Sequence, residues 1–149
     1  MQTKMMREIR DDLNAAADSI NQIELIRAQL GTLTSVLGAD ASARAIRTAA
    51  DDLDKKLMAV EENLFQMRVT GRGQDVFRWG PRLVEKITHL ASGVSSSDFP
   101  PTTQQATVQR QLGEQAGSYK NQLDELVAKD VAAFNALLRE KGLQNIIVR

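Results

Sequence analysis

The stretch IRTAADDLDKKLMAVEENLFQM (46–67) decides the fold. Ile46, Ala50, Leu53, Leu57, Val60, Leu64 and Met67 succeed one another at alternating four- and three-residue steps without a slip. That is the period of one face of an α-helix, not of a strand. Asp40 or Ser42 can cap its start, and Gly71 offers a left-handed stop.

Working outward, the same period recurs on both sides. Upstream, Ile9, Leu13, Ala16, Ile20, Ile23, Leu30 and Leu37 define a first helix over about 5–37, with Ile26 and Leu33 widening its stripe and Gly38 ending it. Arg27 falls where the next seam residue belongs, so it is expected near an end of the core or snorkelling out of it. Asn14, Asn21 and Gln22 stand among these apolar positions, and one of them can set register as a buried polar group. Downstream, Pro81 suits a first helical turn, Leu83, Ile87, Leu90 and Val94 give a short third helix, and Gly93 stops it. The run SSSDFPP (95–101) reads as extended, because proline disfavours helix both at and before its own position. A last helix covers about 103–141, with Val108, Leu112, Ala116, Tyr119, Leu123, Leu126, Ala133 and Leu137 in its stripe. Val127, Val131, Phe134 and Leu138 broaden that stripe, and Gly142 ends the helix before LQNIIVR trails away.

Element lengths constrain the topology. At the α-helical rise the first, second and last helices reach about 50, 45 and 55 Å, the third only about 18 Å. Residues 93–101, drawn out at strand-like rise, add about 30 Å to the third. The expected architecture is therefore all-α: a single domain over 1–149, folded as an antiparallel up-down-up-down four-helix bundle with three long helices, a short third helix and an extended, Pro-containing segment before the last.

Composition agrees and excludes several activities. Aromatic residues are 4% of the chain against 42% hydrophobic overall, which suits close helix packing and not a β-sandwich. Nineteen basic residues balance nineteen acidic ones, leaving no overall field for nucleic acid. Charges interrupt every apolar run, so no membrane span is expected. There is no cysteine, hence no thiol chemistry. A di-iron bundle needs two Glu-x-x-His pairs, and the single histidine, His89, has its nearest upstream glutamate four residues away at Glu85. Metal and cofactor sites are accordingly expected to be none. The acid pairs Asp11-Asp12, Asp51-Asp52 and Glu61-Glu62 read as solvated surface, since adjacent helical residues point apart, and no catalytic residue is assigned.

One stretch stands out: TGRGQDVFRWGPRLVEK (70–86), with three glycines, three arginines and the only tryptophan between two helices. Structurally, Gly71 and Gly73 turn the chain, Asp75 caps its own backbone, Val76, Phe77 and Trp79 plug the bundle end, and Gly80-Pro81 launches the third helix. Functionally, Arg72, Arg78 and Arg82 with loop amides can hold an anion and Trp79 can stack on a ring. The spacing of GRG matches neither phosphate-cradling glycine motif. Arg72, Gln74, Asp75, Arg78, Trp79 and Arg82 are thus the candidate partner or ligand contacts.

RDDLNAAADSINQIELIRAQL (10–30), TGRGQD (70–75), RWGPRLVEKITHL (78–90), SSSDFPPTTQQ (95–105) and FNALLREKGLQNI (134–146) together resemble the C-terminal helical region of large bacterial proteins with sortilin-like, BNR (Asp-box) repeat β-propellers, often labelled glycosyl hydrolases. The resemblance spans nearly the whole chain but rests on no catalytic motif. It implies an exported parent protein whose sugar-directed activity belongs to the propeller. MQTKMMREIRDDL, which lacks the apolar core of a signal peptide, would then open an excised fragment. The expected function is a non-catalytic module packing on that propeller or on a partner. A carbohydrate- or anion-binding module comes second and a hydrolase in its own right last. Helices of this length can also pair between chains, so an oligomer is a further expectation.

Overall fold

The computed structural model describes residues 1–149 except the side chain of Val76. It is an all-α helical bundle with no strand among the described residues. The elements are α1 (Gln2–Leu37), a 3₁₀ turn (Ala41–Ala43), α2 (Arg44–Leu64), α3 (Asp75–Arg78), α4 (Leu83–Ser95), α5 (Thr103–Leu126), a π-helical turn (Val127–Val131) and α6 (Ala132–Glu140). They separate into two compact units, one of residues 1–18 and 62–120, the other of 19–61 and 121–149.

The first unit encloses Met5, Ile9, Ala16, Leu64, Leu83, Ile87, Leu90, Val94, Leu112 and Ala116. Its α1 and α4 are joined by a side chain acting as a cap: Gln2 Nε2 donates to the carbonyls of Val94 and Ser97 at 2.8 and 2.9 Å. Val94 O is a carbonyl that the end of α4 leaves without a partner, and Ser97 O lies just beyond the C-cap. This contact carries α4 through Gly93, which was expected to stop it, as far as Ser95. The link to α5 is correspondingly shorter than the expected 93–101: Ser96 still has right-handed helical torsions, and only 96–102 is non-helical. Pro81 lies outside α4, one residue before its N-cap Arg82. The start of α5 is a reciprocal cap in which Gln105 N–H donates to Thr102 Oγ1 (3.1 Å) and Thr102 N–H to Gln105 Oε1 (2.8 Å). Further along α5, Gln109 Nε2 donates to Asp12 Oδ2 at 3.0 Å. Gly113 leaves room there for the Asp12 carboxyl, whose oxygens stand 3.2 Å from where a Cβ would sit.

The second unit encloses Ile23, Ile26, Leu30, Ile46, Ala50, Leu53, Leu57, Val60, Leu123, Val131, Phe134, Leu138 and Ile146. In α1 the seam passes through Ser19 and Ile26, not through Ile20; Asn14 and Asn21 are exposed and Gln22 is half-buried, so Ser19 is the buried polar residue of that helix. The last helix contains an unexpected feature. Its buried stripe runs Leu123, Val131, Phe134, Leu138, while Ala133 is exposed and Leu137 half-buried. The π turn at 127–131 accounts for that: a wider turn takes up one additional residue and moves every later position one step around the helix. After Glu140 the chain closes in a Schellman motif, with Gly142 at φ 71° and the amides of Gly142 and Leu143 bonded to Arg139 O and Leu138 O. LQNIIVR does not trail free. Gln29 exchanges two hydrogen bonds with the backbone of Ile147 and Asn135 two with that of Ile146, whose side chain is buried.

α2 realises the opening pattern from Ile46 to Leu64, every seam residue being buried, but it stops three residues short of Met67. Its acid pair at 61–62 is a correction too. Glu62 is exposed, whereas Glu61 is 0% exposed.

Candidate functional site

The segment between α2 and α4 builds the most featured surface of the first unit. α2 ends after Leu64 because Glu85, one turn into α4, takes the next free amide. Gln66 N–H donates to Glu85 Oε1 (3.1 Å) while Arg82 N–H, the N-cap of α4, donates to Glu85 Oε2 (2.9 Å). One carboxylate thus stops one helix and starts another, using the favourable position for an acid at a helix N-terminus. The Gln66 side chain adds a strap, its Nε2 donating to Gly80 O at 2.7 Å.

Within the loop, Asp75 Oδ2 accepts both the amide and the hydroxyl of Thr70, closing a ring around Gly71 and Gly73, which take φ 75° and 60°. These hydrogen bonds hold the Asp75 carboxyl below its ordinary range, the Thr70 hydroxyl contributing most. The glycines turn the chain as expected, but Asp75 reaches back to Thr70 and does not cap itself. It opens the one-turn α3, which the sequence did not announce.

The structure divides the six candidate residues among three places. Arg72, Gln74, Asp75 and Arg78 border a shallow depression of about 570 Å³ around Phe77. Phe77 is 91% exposed, so it plugs nothing; the Val76 side chain, expected to plug with it, lies outside the described residues. Trp79 is half-buried and faces the other way, onto a groove of about 810 Å³ floored by Val69, Trp79, Pro81, Leu90, Val108 and Leu112. Arg82 caps α4 through its backbone and borders neither depression, so the three arginines do not converge on one anion.

The groove has the size of a ligand or side-chain pocket and is mainly apolar. Its electrostatics are lopsided. Glu85 borders it with both oxygens already accepting backbone amides, while Lys86 and His89 border it without an ion pair. The Arg68 guanidinium lies 4.7 Å above the centroid of the Trp79 ring, a cation–π contact that covers one ring face. Loop composition identified Trp79 but not the groove, since Val108 and Leu112 read as ordinary stripe residues of the last helix. The 41% exposure of Val108 is the trace of the groove there.

No group of three or more His, Asp or Glu side chains suited to a metal occurs among the described residues. No helix is long and apolar enough to cross a membrane. Comparison with protein-family models, with curated proteins and with solved structures returns no match to this chain.

Proposed function

We propose that this chain is a non-catalytic helical binding module, appended to a large exported bacterial β-propeller protein of the BNR-repeat kind, that grips an apolar, acid-bearing segment of that propeller or of a partner protein. The observation that carries the reading is the groove itself: an apolar trough of about 810 Å³ floored by Trp79, whose one acid is engaged and whose Lys86 forms no ion pair among the described residues. Buried aromatic anchors supply most of the energy of such contacts, and flanking unpaired cations select an acidic partner. The 91% exposed Phe77 beside Arg72 and Arg78 extends the same chemistry to the adjoining face.

The alternative, a carbohydrate- or anion-binding module, is weaker on geometry. Arg68 covers one face of Trp79, which leaves a sugar only the face on the groove. An anion needs converging cations, and Arg82 stands apart from Arg72 and Arg78.

Trp79 is the sole tryptophan, so its fluorescence reports on the groove directly. An amphipathic peptide carrying glutamates is expected to shift its emission saturably. Replacing both Lys86 and Arg68 by Gln should weaken binding by about five- to thirty-fold, two partly exposed charges at about 0.5–1 kcal/mol each. Equal binding of the glutamine version of the peptide would remove the acidic-partner part. Saturable quenching by a glycan or phosphate panel with a flat peptide titration would replace the proposal by the alternative.

A further inference from the structure

Among the described residues Glu61 is the charged side chain that the fold hides most completely, at 0% exposure. The groups acting on it come from the two helices of its own unit. From α1, Arg27 Nη1 donates to Glu61 Oε2 at 2.8 Å, and Glu24, one turn earlier, presents a second carboxylate whose Oε1 lies 3.8 Å from the same nitrogen. From α2, Asp54 takes the other edge of Arg27, Nε to Oδ1 at 2.8 Å. One guanidinium therefore serves three carboxyl groups.

The remaining oxygen is the informative one. Glu61 Oε1 is sealed from solvent and no donor faces it. The Glu24 carboxylate, which lies on the same Arg27 nitrogen as Glu61 Oε2, bears on the Glu61 side chain as a hydrogen-bonding partner and as a like charge. Two neighbouring carboxylates, one of them buried with an oxygen that no donor reaches, are reconciled by a proton between them. We propose that Glu61 and Glu24 share one proton in mildly acidic solution, carried on Glu61 Oε1 and donated to Glu24, so that α1 and α2 are held by a proton-operated clasp that loosens as pH rises. The clasp is independent of the groove and lies in the other compact unit.

The chemistry of the surroundings agrees. Burial pushes the Glu61 carboxyl up to about 7, Glu24 adds to the rise, and Arg27 works against it. Glu24 is half exposed and lines a cavity of about 400 Å³ together with Arg27 and Asp54, so the proton leaves through Glu24 to solvent. Once it has gone, two neighbouring carboxylates depend on one cation that Asp54 already engages. An ordinary buried ion pair behaves oppositely, since its carboxyl sits below the usual range and its stability grows with pH.

The test uses the full chain with glutamate side-chain carboxyls carbon-13 labelled, together with thermal unfolding between about pH 4.5 and pH 8.5, a window spanning both ends of the shift. In the wild type one glutamate resonance should titrate near 7 and the melting temperature should fall from acid to neutral. Glu61→Gln, which imitates the protonated group, should remove that resonance and flatten the fall. Glu24→Gln keeps a hydrogen-bond partner but removes the like charge, and should lower the Glu61 midpoint by about one pH unit or more. Glu62→Gln, its exposed neighbour, should change nothing. If every glutamate titrates below about 5.5, within the usual range for the residue, the clasp does not exist. An unchanged pH slope in Glu61→Gln overturns it equally. Should Glu61→Gln fail to fold, the Glu24→Gln midpoint decides alone.

Discussion

Replacing Arg27 by Met keeps an unbranched apolar stem and removes the guanidinium that Glu61 and Asp54 share. The size of the loss depends on pH, and the dependence follows from the position of the Glu61 carboxyl. At about pH 5 wild-type Glu61 keeps its proton, so the variant loses one charge-assisted hydrogen bond to a neutral acid, about 1.5 kcal/mol. It also loses the partly exposed Asp54 pair, about 0.5 kcal/mol after screening. Above neutrality the wild-type carboxyl ionises and Arg27 is what compensates it. Without Arg27 the group stays protonated, and the fold forfeits about 1.4 kcal/mol for each pH unit beyond the wild-type midpoint of about 7.

A carboxyl raised from 4.5 to about 7 on folding contributes fully below 4.5, loses its contribution as pH rises toward 7, and then levels. In Arg27→Met the fall continues past 7. The expected penalty is about 2 kcal/mol at pH 5 and about 3.5 kcal/mol at pH 8. For a chain of this size that corresponds to melting temperatures lower by about 4–8 °C and 7–14 °C. Urea unfolding followed by circular dichroism at both pH values measures it. A penalty equal at the two pH values, or larger in acid, refutes the reasoning, and in a Glu61→Gln background the pH dependence should vanish.

Two substitutions and a deletion, each with its control, probe the helical framework. Thr102→Ala removes half of the reciprocal cap on α5 and should cost about 1 kcal/mol in urea unfolding, whereas Thr103→Ala, just inside the helix, should cost less than half of that. Gly113→Ala gains helix propensity but meets the Asp12 carboxyl at 3.2 Å, so alone it should be near neutral; in an Asp12→Ala background the same change should stabilise by about 1 kcal/mol by thermal unfolding. Deleting Ala128 from the π turn should let 127–131 close as ordinary α-helix and keep Val131, Phe134 and Leu138 in the core, changing stability by about 1 kcal/mol or less; deleting Gln115, in regular α5, should cost several-fold more because it turns every later residue off its face.

Which features were legible in the chain follows from the range of the forces that make them. Leu53, Leu57 and Leu64 declare themselves buried because a helical period is local, and Gly38 and Gly142 declare stops because a left-handed torsion is local. Thr102 and Gln105 announce the start of α5 for the same reason. The misplaced boundaries are those set by distant partners. Gly93 does not end α4 because Gln2, far away in sequence, covers the carbonyls beyond it. Met67 falls outside α2 because Glu85 claims the amide of Gln66. In the loop the sequence singled out Trp79, but it could not show that Phe77 points outward or that Arg82 stands apart from the other two arginines.

The period itself fails at two places, and each failure has a physical content of its own. At 127–131 an additional residue has to be absorbed, and the chain does so by widening one turn, which exchanges Ala133 and Leu137 for Phe134 and Leu138 as core residues. At Arg27 a cation stands beside the seam of α1, next to Ile26. A lone surface arginine would need no compensation, but this one reaches Glu61, the acid that the same period places among the buried residues of α2 between Val60 and Leu64. Read separately, Arg27 looked like a snorkelling side chain and Glu61 like half of a solvated acid pair. Their meeting requires α1 and α2 to lie against each other in register, with Arg27 opposite both Asp54 and Glu61, seven residues or two turns apart on one face. Apolar packing alone would tolerate a slip by one turn along the seam, because leucine, isoleucine and alanine accept one another at little cost. A buried carboxyl with one donor does not tolerate it, since a slip would leave Glu61 with neither oxygen satisfied. The polar cluster therefore specifies the alignment of the two helices that the hydrophobic stripe only permits.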